Sequence, residues 1–552
     1  MIDKITCSNK PARNKNTSKN AGRAASFAGA APVLNAFNWM KNNPALSACG
    51  VDIGSMVLPR TAVETKNRGI QSGIETFIRE MSSALINASI GLIGFLSAAA
   101  VSRKINKRGI KAQNIFSSGD AVKNFSELWI KADGSADKYF TSFIKNIKGL
   151  NGNEWLGVSE NIQADAAAKL KELAAQTEAL ASAGSSDKAG LKHSINSLKT
   201  LISAQIIKDT GAETSFRAAG SEKSKEISAG LSELIDSAVQ LFNAFKKQDK
   251  THFPQFVQEL MKNKKHTAVL GLGICAALSI AVAPINRFFT KKRTGKDSFV
   301  GVKGDAKDNS AGFKALKTAA GIGFPLFAVS TIGCKPKDLL ANLQFNGKVP
   351  RISQFKLIYG LTIGSRLLFA RDGNELRESL IKDTLGFSTW LIFGDFIAKL
   401  TARALGGKDI INNPAAKEGS KKGLRYFKEW LMKSSVKSFS EILMPNVKDS
   451  VKDNKVMSLN ELYQKAGKDL KAKVLAASAA QAAGYLYSGI VLGMGITKLN
   501  IFITRKINER KAGSMMNKKI NEPQKFDTEY LSKEISSLSP VFKEFTAVSA
   551  DK

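Results

Sequence analysis

The sequence has few of the residues from which metal centres and many enzyme sites are built. Its 552 residues include three histidines and four cysteines, which lie far apart along the chain. No CxxC, HxxxH or HExxH spacing occurs, so neither a local zinc site nor a disulfide framework is predicted. A GxSxG nucleophile elbow and a P-loop are also missing. We therefore predict no catalytic residue, no cofactor and no metal site.

One glycine motif resembles a nucleotide-binding sequence. Gly271, Gly273 and Ala276 match the GxGxxA form of a dinucleotide-binding turn. Such a turn is followed by a second strand and, about twenty residues on, by an acidic residue. The chain instead continues with a segment rich in lysine and arginine, and Asp297 has no apolar strand before it. Since glycine is also common in membrane helices, we favour that interpretation.

Long apolar stretches are the dominant feature of the chain. They span residues 82–101, 267–285, 318–334, 357–370, 385–400 and 474–497. The last has 24 residues without a charge. As a helix it would be roughly 36 Å long, and the hydrocarbon core of a bilayer is about 30 Å thick. Because residues 357–370 and 385–400 contain charges and have short uninterrupted apolar runs, the sequence predicts four to six membrane spans.

Positive charge accompanies these apolar stretches. The formal net charge is +35, from 82 basic and 47 acidic side chains. Residues 101–125 carry six basic and one acidic side chain, and residues 245–297 carry eleven and three. Residues 160–236, in contrast, carry nine and eleven. This distribution is typical of contact with anionic lipid headgroups, so we expect a bilayer partner and disfavour nucleic acid.

Residues 102–260 have a different pattern, in which apolar residues recur at spacings of three and four. The series are Leu170, Leu173, Thr177 and Leu180; Leu191, Ile195, Leu198 and Ile202; and Ile227, Leu231, Leu234, Ala238, Leu241 and Phe245. Each series gives a polar helix one narrow apolar stripe. We predict a soluble helical hairpin or three-helix module here, with a loosely ordered linker as the alternative.

The predicted fold is therefore all-α, a multi-span membrane bundle with an inserted soluble helical module. A basic and largely disordered segment covers residues 1–50, and the first membrane segment with a preceding helix covers residues 51–101. The extramembrane domain covers residues 102–260. The membrane bundle with its interfacial helices covers residues 261–502, and a polar basic tail covers residues 503–552. Within the bundle, residues 421–444 form either an interfacial helix with Trp430 at the headgroup level or a surface helix that covers the bundle.

Two sets of residues stand out within the apolar stretches. Arg366 and Asp395 are charges at predicted membrane depth, where such groups tend to face a partner, so we predict an intramembrane charge pair. The alternative is that Asp395 bonds Lys399 one turn later and that the Arg366 side chain extends to the membrane–water interface. Small residues allow close helix packing in lipid. They are Gly360, Gly364, Ala476, Ala480, Gly484, Ser488, Gly489 and Gly493.

Three functions remain open from the sequence. The preferred one is a non-enzymatic integral membrane protein that serves assembly or partner binding, with self-association through the helical domain or the small-residue stripes. The second is a transporter or channel that uses Arg366 and Asp395 in a polar cavity reached also by Gln481. The third is a membrane enzyme of unknown reaction. We expect a bacterial inner membrane as the location, with a mitochondrial membrane as the alternative.

Overall fold

The computed structural model describes most of the chain as helix. The described residues are 36, 40, 44–106, 110, 112–115, 117–149, 160–213, 216–218, 226–297, 300, 308–345, 349–413 and 423–521. Within them the strands are two or three residues long, so the predicted all-α class is confirmed for this part of the chain. Most of the N-terminal segment predicted to be disordered, and the tail beyond residue 521, lie outside the described residues.

The first part of the bundle is a helical hairpin. It contains α1 (Pro44–Val51), a π-helical turn (Asp52–Val57), α2 (Leu58–Arg68) and α3 (Ile70–Val101), followed by the short α4 (Arg103–Asn106). Gly69 joins α2 to α3 with a φ angle of 88°, which glycine adopts without the steric cost of a Cβ. A Cβ at Gly73 would lie 1.9 Å from the hydroxyl oxygen of Thr65, so the two helices are in close contact.

Residues 102–260 form a helical module, and its apolar core continues into residues 398–480 of the bundle. Its elements are α5 (Gly119–Lys131), α6 (Ala136–Asn146), β1 (Ile147–Gly149), α7 (Glu160–Ser182), α8 (Asp187–Thr210), β2 (Phe216–Ala218), β3 (Ile227–Ala229) and α9 (Leu231–Phe245). The strands form an antiparallel sheet in the order β1-β2-β3. The rings of Trp129, Tyr139, Phe140 and Phe242 pack together in the core. The module has five helices where the stripes predicted two or three, and Ile227 lies in a strand.

Helices α7 and α8 extend out of this module as an arm, which we define as residues 175–200. The stripe residues Leu170, Leu173 and Ile202 are buried at its base. No residue between Ala174 and Leu201 is buried, although the stripe continues there. The arm therefore projects as a two-helix hairpin with a half-buried apolar stripe.

The long helix α10 (Phe253–Thr294) connects the module to the bundle. It runs antiparallel to α3, since Asn263 hydrogen-bonds Ser102 at one end of the pair and Arg293 hydrogen-bonds Gln71 at the other. A Cβ at Gly271 would lie 3.4 Å from the Cα atom of Gly94. Gly271 thus lies in the middle of a continuous helix at a helix contact, and not in a strand-to-helix turn.

The remaining bundle helices follow in chain order. They are α11 (Ala311–Ser330), α12 (Leu339–Leu343), α13 (Ile352–Leu368) and α14 (Gly373–Ser388), which continues through a π-helical turn (Thr389–Phe393) into α15 (Gly394–Gly406). After a short segment of mixed structure, α19 (Lys468–Tyr487) continues through a second π-helical turn (Ser488–Gly495) into α20 (Ile496–Asn521). These helices, together with α3 and α10, cover each of the six apolar stretches wholly or mostly. Helix α20 also extends into the segment predicted as a polar tail.

The segment before α19 covers one end of the bundle. Its elements are β4 (Ile411–Asn412), α16 (Gly423–Lys433), β5 (Ser435–Val436), α17 (Phe439–Leu443), β6 (Val451–Lys452), β7 (Lys455–Val456) and α18 (Leu459–Lys465). Trp430 on α16 is buried, with Phe396 at a ring-centroid distance of 6.0 Å and the Lys399 ammonium 5.7 Å from its ring. The Trp430 indole therefore packs against helices of the same chain, as expected of a surface helix that covers the bundle.

Three helices of the described part are long and apolar enough to cross a membrane. They are Ile70–Val101, Phe253–Thr294 and Lys468–Arg510, with 33–39% of their apolar windows buried inside the protein. Their uncovered faces carry large apolar side chains such as Leu92, Ile274 and Ile490. Exposed apolar surface of this extent is typical of lipid contact, which supports membrane association.

We predict that Gly364→Ala destabilises the bundle by about 1–3 kcal/mol, because overpacking forces helices apart. The new Cβ would lie 2.6 Å from the carbonyl oxygen of Gly321 and 2.6 Å from Cγ of Pro325 on α11. Denaturant unfolding of the detergent-solubilised protein measures the change. Gly323→Ala on α11 is the matched control, since a Cβ there meets nothing within 4 Å. Equal stability of the two variants would contradict the close approach of α11 and α13.

Candidate functional site

A cluster of buried charges surrounds Arg366 near the end of α13. Its guanidinium donates to the carboxylates of Glu80 on α3, at 3.0 Å, and Asp383 on α14, at 3.1 Å. It also donates to the backbone oxygen of Arg79 at 3.2 Å. The side chains of Arg366, Glu80 and Asp383 are at most 2% exposed. One guanidinium therefore joins three helices away from solvent.

Further cations converge on the same carboxylate. Arg60 on α2 approaches Glu80 at 3.4 Å and donates to the backbone oxygen of Leu492 at 3.1 Å. Lys382 and Arg79 lie 3.6 and 3.4 Å from the same Glu80 oxygen. Glu80 is thus the common acceptor for cations from α2, α3, α13 and α14. Removing a charged partner from such a buried cluster costs far more than breaking an exposed ion pair.

Two smaller clusters extend this region toward the helix ends. Arg68 at the end of α2 donates to both carboxylate oxygens of Glu378 on α14, at 2.6 and 2.8 Å. Arg371 in the α13–α14 turn donates to Glu75 at 2.8 Å and to Glu375 at 2.9 Å. The same region thus contains three ion clusters that connect α2, α3, α13 and α14. We call it the ionic core.

Arg366 and Asp395 have separate partners and do not pair with each other in the described part of the chain. Asp395 lies at the start of α15 and bonds Lys399 one turn later at 2.5 Å, which is the local pairing weighed as the alternative. Asp383 and Asp395 are twelve positions apart in one continuous helix formed by α14 and α15, which corresponds to about 18 Å along the helix axis. This separation along the helix accounts for the different partners of Arg366 and Asp395.

Asp395 instead faces a half-enclosed cavity of about 440 Å³. The cavity lies between α1, α13, α15 and α19, with α16 and β5 at its edge. Its lining is mainly apolar and includes the rings of Trp390 and Tyr485. The polar side chains in the lining are Ser47, Lys356, Asp395, Gln481, Tyr485 and Ser488. Gln481, which was expected to reach a polar cavity, does line this one.

Two of these polar side chains are buried with few partners. Gln481 is 7% exposed, and neither its amide nitrogen nor its amide oxygen has a hydrogen-bond partner in the structure. Lys356 is 6% exposed and donates to the backbone oxygen of Thr331 at 2.8 Å. Buried polar groups normally have at least one hydrogen-bond partner, so the Gln481 amide is an exception in this wall of the cavity.

The small residues singled out in the sequence lie at helix contacts within the chain. A Cβ at Gly360 would lie 2.4 Å from the Cβ of Ala328 on α11, and a Cβ at Gly484 would lie 2.8 Å from the backbone oxygen of Gly394. Ala476, Ala480 and Ser488 lie on the same side of α19 or its continuation and are buried. Gly489 and Gly493 face the N-terminal hairpin at Ser55. These stripes therefore pack against helices of the same chain.

The module is attached to the bundle through polar contacts. The amide N–H of Gly119 donates to the Gln344 side chain at 2.6 Å. The buried Lys264 ammonium donates to the backbone oxygens of Ala112 at 2.9 Å and Ile115 at 2.6 Å. Burial raises the pKa of the Glu233 carboxyl at the start of α9. The Gly119–Gln344 bond holds the start of α5 against the end of α12, and the Lys264 bonds hold the loop before α5 against α10.

The comparisons give no family to which the chain can be assigned. No family model, no curated protein and no solved structure matches it. Across the residues that the structure describes, no group of three or more histidine, cysteine, aspartate or glutamate side chains is arranged to hold a metal ion. The described cysteines, Cys49, Cys275 and Cys334, are free.

The sequence did not identify the partners in the ionic core. Glu80 lies two residues before the first apolar stretch, and Lys382 and Asp383 lie just before the fifth. No motif or spacing in the sequence singles out these three residues. One pattern does distinguish this region: charges of opposite sign occur at the same end of neighbouring helices. Glu75 and Glu80 lie near the start of α3, Arg366 lies near the end of α13, and Arg371 follows that end.

We predict that Arg366→Met destabilises the protein by about 3–5 kcal/mol, because it leaves Asp383 buried without its ion-pair partner. Adding Asp383→Asn should restore part of this loss, since the second substitution removes the uncompensated charge. Denaturant unfolding in detergent measures both variants. Lys250→Met is the control, because Lys250 pairs with Asp133 at a fully solvated surface site. A single variant as stable as this control would show that the buried cluster does not stabilise the fold.

Proposed function

We propose that this chain is a non-enzymatic integral membrane protein whose bundle holds an extramembrane module for assembly or partner binding. The observation that carries the proposal is the exposed arm, residues 175–200, on a module fixed to apolar helices. A projecting hairpin with a half-buried apolar stripe is suited to packing against another protein. The solid ionic core supports a structural role for the bundle at that end.

We propose four to six membrane spans. The three long apolar helices supply the first three, and α11, α13 and the α14–α15 helix run beside them. Helix α13 has 17 residues, which is roughly 25 Å of helix and close to the thickness of the hydrocarbon core. Its buried charges face other helices rather than lipid, as intramembrane charges do. A bacterial inner membrane is the proposed location, with a mitochondrial membrane as the alternative.

We expect the protein to remain in the membrane pellet when vesicles are washed at alkaline pH. Such a wash breaks the electrostatic contacts of a basic surface protein, but it does not extract helices surrounded by lipid. Immunoblotting of pellet and supernatant measures the distribution, with a known peripheral protein as the control. Recovery of the chain in the supernatant as a monodisperse particle without detergent would contradict the proposal.

The arm provides the most direct evidence for partner binding. Leu180, Leu191, Ile195 and Leu198 are only half-buried, although they continue the stripe that is buried at the base of the hairpin. Lys199 on the arm bonds Asp236 on α9, and Glu178 on the arm bonds Lys246 at the end of α9. The arm is therefore held in place along one side. The other side is exposed. Ile195 and Leu198 also pack against the core, so the fixed arm presents Leu180 and Leu191 to a partner with little loss of conformational entropy on binding.

We predict that a cysteine at the arm tip forms a discrete cross-linked product in native membranes. Gly190→Cys is suitable because Gly190 is exposed and a Cβ there meets nothing within 4 Å. The native cysteines are replaced first, and a bis-maleimide is the cross-linker. Mass spectrometry then distinguishes a second copy of the chain from another protein.

The control for this experiment is Lys250→Cys, because Lys250 lies on the same module after the end of α9, pairs with Asp133 and has an 86% exposed side chain. Products that form only with the arm cysteine support partner binding. If the arm cysteine gives no adduct, or the same adducts as the control, the arm has no dedicated partner.

The cavity favours a second function, that of a carrier for a small molecule. Asp395 and Gln481 line it between bundle helices, beside the end that α16 and β5 cover, and transporters likewise bind their substrates between helices. In this alternative Arg366 stabilises the helices around the path through the ionic core. An enzyme that acts at the membrane remains a third alternative, with no observation that favours it.

A further inference from the structure

The cavity between α13, α15 and α19 combines an apolar body with two buried polar groups that lack full partners. Its volume of about 440 Å³ lies in the range of sites that bind small organic molecules. Val51, Ile352, Trp390, Ala398 and Leu431 supply apolar surface. An occupant with an apolar portion would displace water from these walls and gain the corresponding hydrophobic free energy.

Gln481 marks the polar part of the cavity. An amide with both ends unpaired in a buried position carries the full cost of desolvation, which a hydrogen-bonding partner would offset. Both ends of the Gln481 amide are unpaired at 7% exposure. The amide N–H groups are donors and the amide oxygen is an acceptor, so the fitting ligand group has an acceptor and tolerates a donor beside it.

The charges around the cavity determine which sign of ligand fits. The Lys356 ammonium has three N–H donors, and the Thr331 backbone oxygen is the acceptor that it has among the described residues. Asp395, the acid in the lining, is already bonded to Lys399, which is fully buried. Together the Asp395–Lys399 pair is neutral, and among the described residues Lys356 has no ion-pair partner. The wall therefore has an excess positive charge that a carboxylate would neutralise.

We propose that this cavity binds an amphipathic carboxylate. The carboxylate would accept hydrogen bonds from the Lys356 ammonium and the Gln481 amide, and the apolar part would lie against Trp390 and its apolar neighbours. The ligand is a fatty acid drawn from the membrane or a small aromatic acid from the aqueous phase, since both combine these two groups. The site does not depend on partner binding by the arm or on transport of a solute.

Equilibrium dialysis of the full-length protein in a neutral glycoside detergent tests the proposal. Labelled dodecanoate and labelled 3-phenylpropanoate represent the two sources of the carboxylate. Dodecyltrimethylammonium and dodecan-1-ol test the charge and the chain. We expect saturable binding of at least one carboxylate, with binding of the cation and the alcohol at least tenfold weaker. Saturable binding of dodecanoate alone identifies the membrane source, and of 3-phenylpropanoate alone the aqueous one.

Three variants locate the bound molecule. Lys356→Met should weaken carboxylate binding at least tenfold, and Gln481→Leu should weaken it several-fold, since a hydrogen bond to a charged group is lost in each. Ala48→Phe fills the cavity from α1 and leaves both polar groups in place, so it should abolish binding even if one of the other variants fails to fold. Lys317→Met is the matched control, because Lys317 also donates to a backbone oxygen, that of Ala370, outside the cavity.

The proposal is overturned if neither carboxylate binds more tightly than the cation. It is equally overturned if the correctly folded Ala48→Phe variant binds as well as the unsubstituted protein, since the molecule would then lie elsewhere on the apolar surface. Equal binding by Lys356→Met and Lys317→Met would show that the ammonium does not recognise the carboxylate. Circular dichroism and size-exclusion chromatography of each variant establish that it is folded.

Discussion

The buried cluster in which Arg366 bonds Glu80 and Asp383 is the constraint on which the rest of the bundle depends. A charge inside a bundle of apolar helices is tolerated only where opposite charges and backbone oxygens surround it. Those partners come from α3 and α14. The cluster therefore fixes the relative positions of α3, α13 and α14, and Arg60 adds α2 to the same arrangement.

Close backbone contacts determine the other half of the bundle. Glycine and alanine bring α11 against α13 and α15 against α19, where apolar packing alone sets the geometry. The cavity lies beside the close contact of α15 with α19, since Gly394 and Gly484 line it together with larger side chains such as Trp390 and Tyr485. Charges fill the interior at one end of the bundle, whereas the cavity leaves Lys356 and Gln481 without full partners.

The module and the bundle are connected in a way that suits transmission of a fixed orientation. Helix α10 starts in the module core and continues without interruption through the bundle, and Lys264 on it holds the loop before α5. The arm extends from this module and is bonded to α9 and its end. A partner that binds the arm would therefore be held in a defined orientation relative to the membrane helices, with no flexible linker between them.

The sequence by itself predicted the six apolar stretches and singled out the small residues in them, because hydrophobic periodicity acts over a few residues. It offered the local Asp395–Lys399 pair, at i,i+4 spacing, only as the alternative to a pair of Arg366 with Asp395. It did not determine what Arg366 contacts, since Glu80 is 286 positions away in the chain. Nor did it predict five module helices or the cavity around Gln481, and it left the position of Trp430 open. These depend on which helices become neighbours, and only tertiary packing decides that.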